Sequence, residues 1–169
     1  MKPISLILTL CLLILNACSV GFTFTGANIP PEVKTFSIEN FGNDASMGPA
    51  NLELRFSEDL RSYFQKNTSL KLIKEIGDYQ FAGKILRYEV TPVAAGAGAL
   101  QSAELNRLTI SIELQFTNNF DNKKSFKQTF SNYRDFPADR NVQDVEAELI
   151  PQIFEQIIFE IFNKTVADW

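Results

Sequence analysis

The sequence predicts an α+β fold in which two helices pack on one face of a mainly antiparallel four-stranded sheet, in the order β-α-β-β-β-α. Three observations predict it. Leu108, Ile110, Ile112, Leu114 and Phe116 alternate without a break with polar residues, the period-two pattern of a half-buried strand. Leu52, Phe56, Leu60 and Phe64 recur every four residues, the spacing of a helix with one buried face. Val145, Leu149, Ile153, Ile157 and Ile161 repeat the same way beside Ile150, Phe154, Ile158 and Phe162, giving a second helix with an apolar face wide enough to lie flat on a sheet.

The elements follow in order. Residues 18–32 contain two glycines and the Pro30-Pro31 pair and read as a tether. Val33 to Phe41 is a strand in which Phe36 and Ile38 alternate with Thr35, Ser37 and Glu39. Gly42 to Gly48 is a turn, Pro49 suits a first helical turn, and the first helix ends near Asn67. A short apolar piece, Leu70 to Ile73, leads to a strand from Tyr79 to Thr91. There the apolar parity changes between Gly83 and Leu86, which predicts a β-bulge. Pro92 to Ala103 is an uncharged, small-residue loop, and Asp121-Asn122 marks the turn into a returning strand from Ser125 to Phe136. Asn141 and Asp144 suit the start of the second helix, and Pro151 is expected to kink it or delay its start.

The first seventeen residues are of another kind. Met1 and Lys2 precede an apolar run from Ile4 to Leu15, and Leu15-Asn16-Ala17-Cys18 closes it. A charged start, a core too short to span a bilayer and a small residue before a cysteine form a bacterial lipoprotein signal. Residues 1–17 are thus expected to be removed, Cys18 to carry lipid, and residues 33–169 to form a single domain. Ser19 stands where an aspartate commonly retains a lipoprotein at the inner membrane, which favours the outer membrane. No acid occurs from Ser19 to Pro31, which favours the leaflet facing the periplasm.

Composition excludes several function classes. Histidine is absent, and Cys11 and Cys18 are the two cysteines of the chain. Histidine-based catalysis, zinc hydrolysis and thiol chemistry in the mature domain are therefore ruled out, and neither metal nor cofactor is expected. Glu58 and Asp59 are adjacent carboxylates, but neighbours on a helix do not face each other, so they read as a solvated face. Gly96-Ala97-Gly98-Ala99 lacks the rest of a phosphate-binding fingerprint. Removing residues 1–17 takes away Lys2 and no acid, leaving 15 basic against 20 acidic side chains and a formal charge of −5, which argues against nucleic acid.

Four stretches carry a family resemblance: FTFTGANIPPEVKTFSIENF (22–41), ELNRLTISIELQFTN (104–118), KKSFKQTFSNYRDF (123–136) and DVEAELIPQIFEQIIFEIFNKTVADW (144–169). In these the chain resembles the lipopolysaccharide-assembly lipoprotein family LptE in its Bacteroidetes form, with Pro151 a departure. The resemblance implies a non-enzymatic partner of the outer-membrane barrel LptD, acting as plug and assembly aid in lipopolysaccharide transport and itself able to contact lipopolysaccharide. Composition by itself names no substrate. A periplasmic accessory lipoprotein of similar topology, activating a cell-wall synthase or serving a secretion machine, remains the alternative.

Five basic residues are candidates for lipopolysaccharide phosphates: Arg87 and Arg107 near strand ends, and Lys123, Lys124 and Lys127 around the last turn. The competing reading makes them solubilising side chains. The Pro92 to Ala103 loop, with Ala97 and Leu100 near its middle, is the candidate barrel-facing segment, since uncharged small residues lower the cost of entering a confined lumen.

Overall fold

The two strands most clearly written in the sequence form a long antiparallel hairpin at the centre of a mixed sheet. The computed structural model describes residues 29–93 and 104–166. The strands are β1 (Thr35–Ile38), β2 (Gly42–Asn43), β3 (Lys71–Leu72), β4 (Tyr79–Val93), β5 (Leu105–Asn118) and β6 (Phe126–Pro137), and the helices are α1 (Leu52–Asn67) and α2 (Val142–Val166). The sheet order is β3-β1-β4-β5-β6, with β2 also beside β4.

The α+β class and both helices stand, but the sheet has six strands and is mixed, not four-stranded and mainly antiparallel. β1 is parallel to β3 and to β4, and β2 is parallel to β4, while β4, β5 and β6 are antiparallel. The cause is the crossover: α1 returns the chain to the end where β1 began, so the next strand runs alongside in the same direction. β2 and β3 are two residues each, too short for alternation to reveal. They exist through ladder bonds such as Asp44 N–H to Ile85 O and Ile73 N–H to Phe36 O, both 2.9 Å. The strand expected over Val33 to Phe41 breaks after Ile38, where Phe41 turns into the core and its N–H donates to Ser57 Oγ.

The expected bulge is present at Leu86, where the β4–β5 register skips from Ile85 opposite Ile112 to Arg87 opposite Ser111. Phe81 and Ile85 before it, and Tyr88 after it, all face the core. Gly83 lies just upstream because a Cβ there would collide with the Glu113 carbonyl and come within 2.7 Å of the Phe41 ring. The connection expected from Pro92 is shorter than its composition indicates. Pro92 and Val93 still pair with Asn106 and Leu105, so the strands continue past a proline, which by itself disfavours a strand.

Aromatic side chains fasten the helices to the sheet. The Phe56 ring meets Phe41 at 5.0 Å and Phe154 at 5.1 Å, both edge-on, and Phe64 meets Phe81 at 4.6 Å and Phe162 at 5.4 Å. α2 starts at Val142, so Pro151 does not delay it. The proline has no N–H for the Ala147 carbonyl, and Ala147 is exposed, so solvent can take that bond.

Two ends of the sheet matter below. At one, β1 and β4 start, β5 finishes and β6 begins; the first described residues, Ile29 to Pro31, lie there against Ser69 and Lys71. The β4–β5 connection is at the other. β6 is an edge strand. Ala138 N–H donates to Glu104 O and the β5–β6 register is unbroken, so even-numbered residues of β6 bond to β5 and odd-numbered backbone groups face the open edge. At Tyr133 that edge is occupied by side chains: its N–H donates to Asn132 Oδ1 at 2.9 Å and its carbonyl accepts from Arg134 Nη1 at 2.8 Å.

Candidate functional site

A groove of about 870 Å³ runs along the seam between the start of β6 and the last turns of α2. Its floor is aromatic. Tyr79, Phe116 and Phe130 are buried and Phe126 is half-buried; the Tyr79 ring meets Phe116 edge-on at 5.1 Å, and Phe116 meets Phe126 at a tilt at 5.4 Å. Lys123 and Lys124, in the short 3-10 turn Asn122–Lys124, rim it on one side. Lys164 rims it on the other, with Nζ 5.1 Å from the Phe126 ring centre. Gln128, Ser131 and Asn163 add uncharged hydrogen-bonding groups, and Glu160 adds one carboxylate. An apolar floor beneath a cationic rim accommodates an amphipathic ligand with an anionic head.

The fold separates the five basic candidates. Lys123 and Lys124 stand at the groove. Arg107 lies on the sheet face away from the helices, where its guanidinium grips Asp135 through two bonds, 2.7 and 2.9 Å, and sits 3.7 Å over the Tyr133 ring. That hydrogen bonding lowers the Asp135 carboxyl and raises Arg107 from their ordinary values. Lys127 pairs with Glu113 at 2.9 Å and Arg87 with Glu89 at 3.4 Å. Arg87, Arg107 and Lys127 therefore have neutralising partners and do not converge with the two groove lysines. Lys164 escaped sequence reasoning, because a lysine in a last helical turn ordinarily signals dipole compensation alone. Cys18, Ala97 and Leu100 lie outside the described residues.

No acid-base pair emerges from the adjacent carboxylates. Glu58 is held by Arg61, while burial raises the Asp59 carboxyl above its usual value. Tyr88, also raised by burial, donates to Glu146 Oε2 at 2.9 Å and ties β4 to α2. Among the described residues no group of three potential metal ligands gathers, and no helix is long and apolar enough to cross a membrane.

Residues 33–165 match the family described as LptE, lipopolysaccharide-assembly. The chain belongs to the LptE family. The match takes in all six strands and all but the last residue of α2, so the groove is built wholly from LptE-family sequence. The LptE family is non-enzymatic. No curated protein matches the chain by sequence.

Solved structures share the fold at low identity. A hypothetical protein from Chlamydia trachomatis is 13% identical with a TM-score of 0.55, covering 80% of this chain and 99% of its own. A protein of a family of unknown function from Xanthomonas campestris is 15% identical with a TM-score of 0.56, covering 83% and 90%. An uncharacterized lipoprotein B from Nitrosomonas europaea is 12% identical with a TM-score of 0.54, covering 89% and 91%. At such identities the likeness extends to the fold alone.

Proposed function

We propose that this chain is an outer-membrane lipoprotein, anchored through acylated Cys18 after loss of residues 1–17, that faces the periplasm and pairs with an LptD-type barrel as plug and assembly factor. Its lipopolysaccharide contact is the β6–α2 groove. The observation that carries this reading is the placement of Lys123, Lys124 and Lys164 around a floor of aromatic rings, within the sequence that matches a lipopolysaccharide-assembly family. Phosphates on a lipid head meet ammonium groups at the rim, and acyl carbons meet the aromatic floor. β4 and β5 extend away from the end where the tether arrives, which supports placing the connection between them, with Ala97 and Leu100, against the barrel wall.

Three experiments test this. Purification from membranes in mild detergent should recover a large β-barrel; recovery of a peptidoglycan synthase or a secretion subunit instead would replace this reading with the accessory-lipoprotein one. Lipopolysaccharide binding should fall when Lys123 and Lys124 become Gln, and fall little when Arg87, Arg107 and Lys127 do. Unchanged binding with all five replaced would remove lipopolysaccharide contact from these side chains. A photo-crosslinker at Ala97 or Leu100 should capture the barrel, and capture only from the helices would move the interface.

A further inference from the structure

The sheet has two faces, and the helices cover one of them. Phe56 and Phe64 of α1 meet Phe154 and Phe162 of α2 respectively, and Phe64 also meets Phe81 on the buried side of β4. Alternation puts the other side chains of β4, β5 and β6 on the opposite face. That face is electrically self-contained. On these three strands its cations are Lys84, Arg87, Arg107 and Lys127, and each has a carboxylate within 3.4 Å: Asp44, Glu89, Asp135 and Glu113 in turn.

Between the ion pairs stand uncharged hydroxyls and an aromatic ring. Thr109 and Ser111 are half-buried on the central strand, and Ser111 Oγ shares a 2.9 Å hydrogen bond with Ser131 Oγ of β6. Tyr133 stands opposite Thr109 and is 47% exposed. Arg107 lies over one side of its ring, 3.7 Å from the centre, and Asp135 grips that guanidinium through two bonds, so the ring is held in place. A held ring offers contact area at little cost in side-chain entropy, and hydroxyls that both donate and accept lie beside it. The face also continues the groove. Thr129 and Ser131 line the groove and share the parity of Tyr133 on β6, so the two surfaces join around the β6 edge.

We propose that this face carries the saccharide of lipopolysaccharide: sugar rings lie against Tyr133 and their hydroxyls bond to Thr109, Ser111 and Ser131, while the lipid head stays in the groove around the β6 edge. The proposal rests on the lipopolysaccharide reading of the groove, and it uses none of the residues assigned to the barrel. A saccharide fits because it presents apolar C–H patches to a ring and hydroxyls to hydroxyls, and needs no ionic partner. An anionic leaflet would need free cations, and the four here are paired.

The test uses the full mature chain and two probes in detergent micelles: intact lipopolysaccharide, and the lipid portion left after mild acid removes the saccharide. The chain should bind the intact form about fivefold or more tighter. Added salt should weaken both without erasing that difference, because the saccharide contacts are uncharged. Tyr133→Ala, and separately Thr109→Val with Ser111→Ala, should bring the intact form down towards the affinity of the lipid portion, whereas Tyr133→Phe, which keeps the ring, should not. Circular dichroism confirms that each variant is folded. Equal affinity for the two probes, a preference that disappears in high salt, or a preference that survives all three substitutions together would overturn the proposal. So would tighter binding of peptidoglycan glycan fragments than of the freed lipopolysaccharide saccharide. Failure of the groove reading shows separately, as no binding of the lipid portion by the unmutated chain.

Discussion

The Asp78 carboxylate holds Thr35 by two bonds, accepting from its backbone N–H at 2.9 Å and from its hydroxyl at 2.8 Å. The same oxygen accepts from Lys34 N–H at 2.9 Å, and Asp78 N–H donates back to Thr35 Oγ1 at 3.0 Å. One side chain thus joins the first residue of β1 to the residue before β4, closing the parallel pair where the tether meets the domain.

Asp78→Ala should destabilise the domain by about 2 kcal/mol at neutral pH, because two backbone donors and a hydroxyl lose a charged acceptor. These bonds, the backbone bond from Lys34 foremost, depress the carboxyl below its ordinary 3.8. Its stabilising contribution is therefore full above the unfolded value and is lost as pH falls through the lower folded one. Urea unfolding at pH 7 and in acid should show the gap between wild type and variant closing at the acid end. A gap that widens would contradict the assignment.

Gly83→Ala should cost about 3 kcal/mol, since the added methyl meets the Glu113 carbonyl across the central strand pair and the Phe41 ring, neither of which can yield without moving the sheet. Thermal unfolding measures it. Gly42→Ala offers a control, because its Cβ would meet only Lys84 Cβ at an ordinary 3.5 Å.

Pro151→Ala should stabilise α2 by about 1 kcal/mol or more, by restoring a donor to the Ala147 carbonyl and relieving the ring's contact with the preceding turn. Chemical denaturation with an unchanged m-value is the expected form of the result. A loss of stability would mean that the proline's side chain, half-buried beside Tyr63 and Ile158, contributes more than the missing bond.

On the proposed lipid-anchor reading of Cys18, Cys18→Ala should release the chain from the membrane fraction in high salt and abolish palmitate incorporation. Retention in high salt in cells lacking the barrel would show a second anchor.

The helices and the three long strands were legible because each spans enough residues for its period to repeat, and the bulge because Ile85 and Tyr88 break parity around Leu86. β2 and β3 were not legible: a two-residue strand has no period, and the pairing of Phe36 with Leu72 and Tyr79 depends on where α1 returns the chain. The groove was half legible. Lys123 and Lys124 stood out as a doublet beside a turn, but Lys164 joins them only through the packing of α2 on β6. Nor does the sequence show that Arg107 is spent on Asp135, twenty-eight residues away, until the strand register sets them opposite.

The side chains of Asn132 and Arg134 have a consequence for how copies of the domain meet one another. A bare outer strand recruits identical strands from other copies. By occupying the free N–H and carbonyl of Tyr133, its neighbours interrupt the ladder that such stacking needs at mid-strand, and Pro137, with no N–H, interrupts it again at the far end. The stretch left uncovered, around Thr129 and Ser131, is flanked by Lys127, a charge of the kind that discourages edge pairing. Protection of this edge therefore rests on side chains that contribute little to the core.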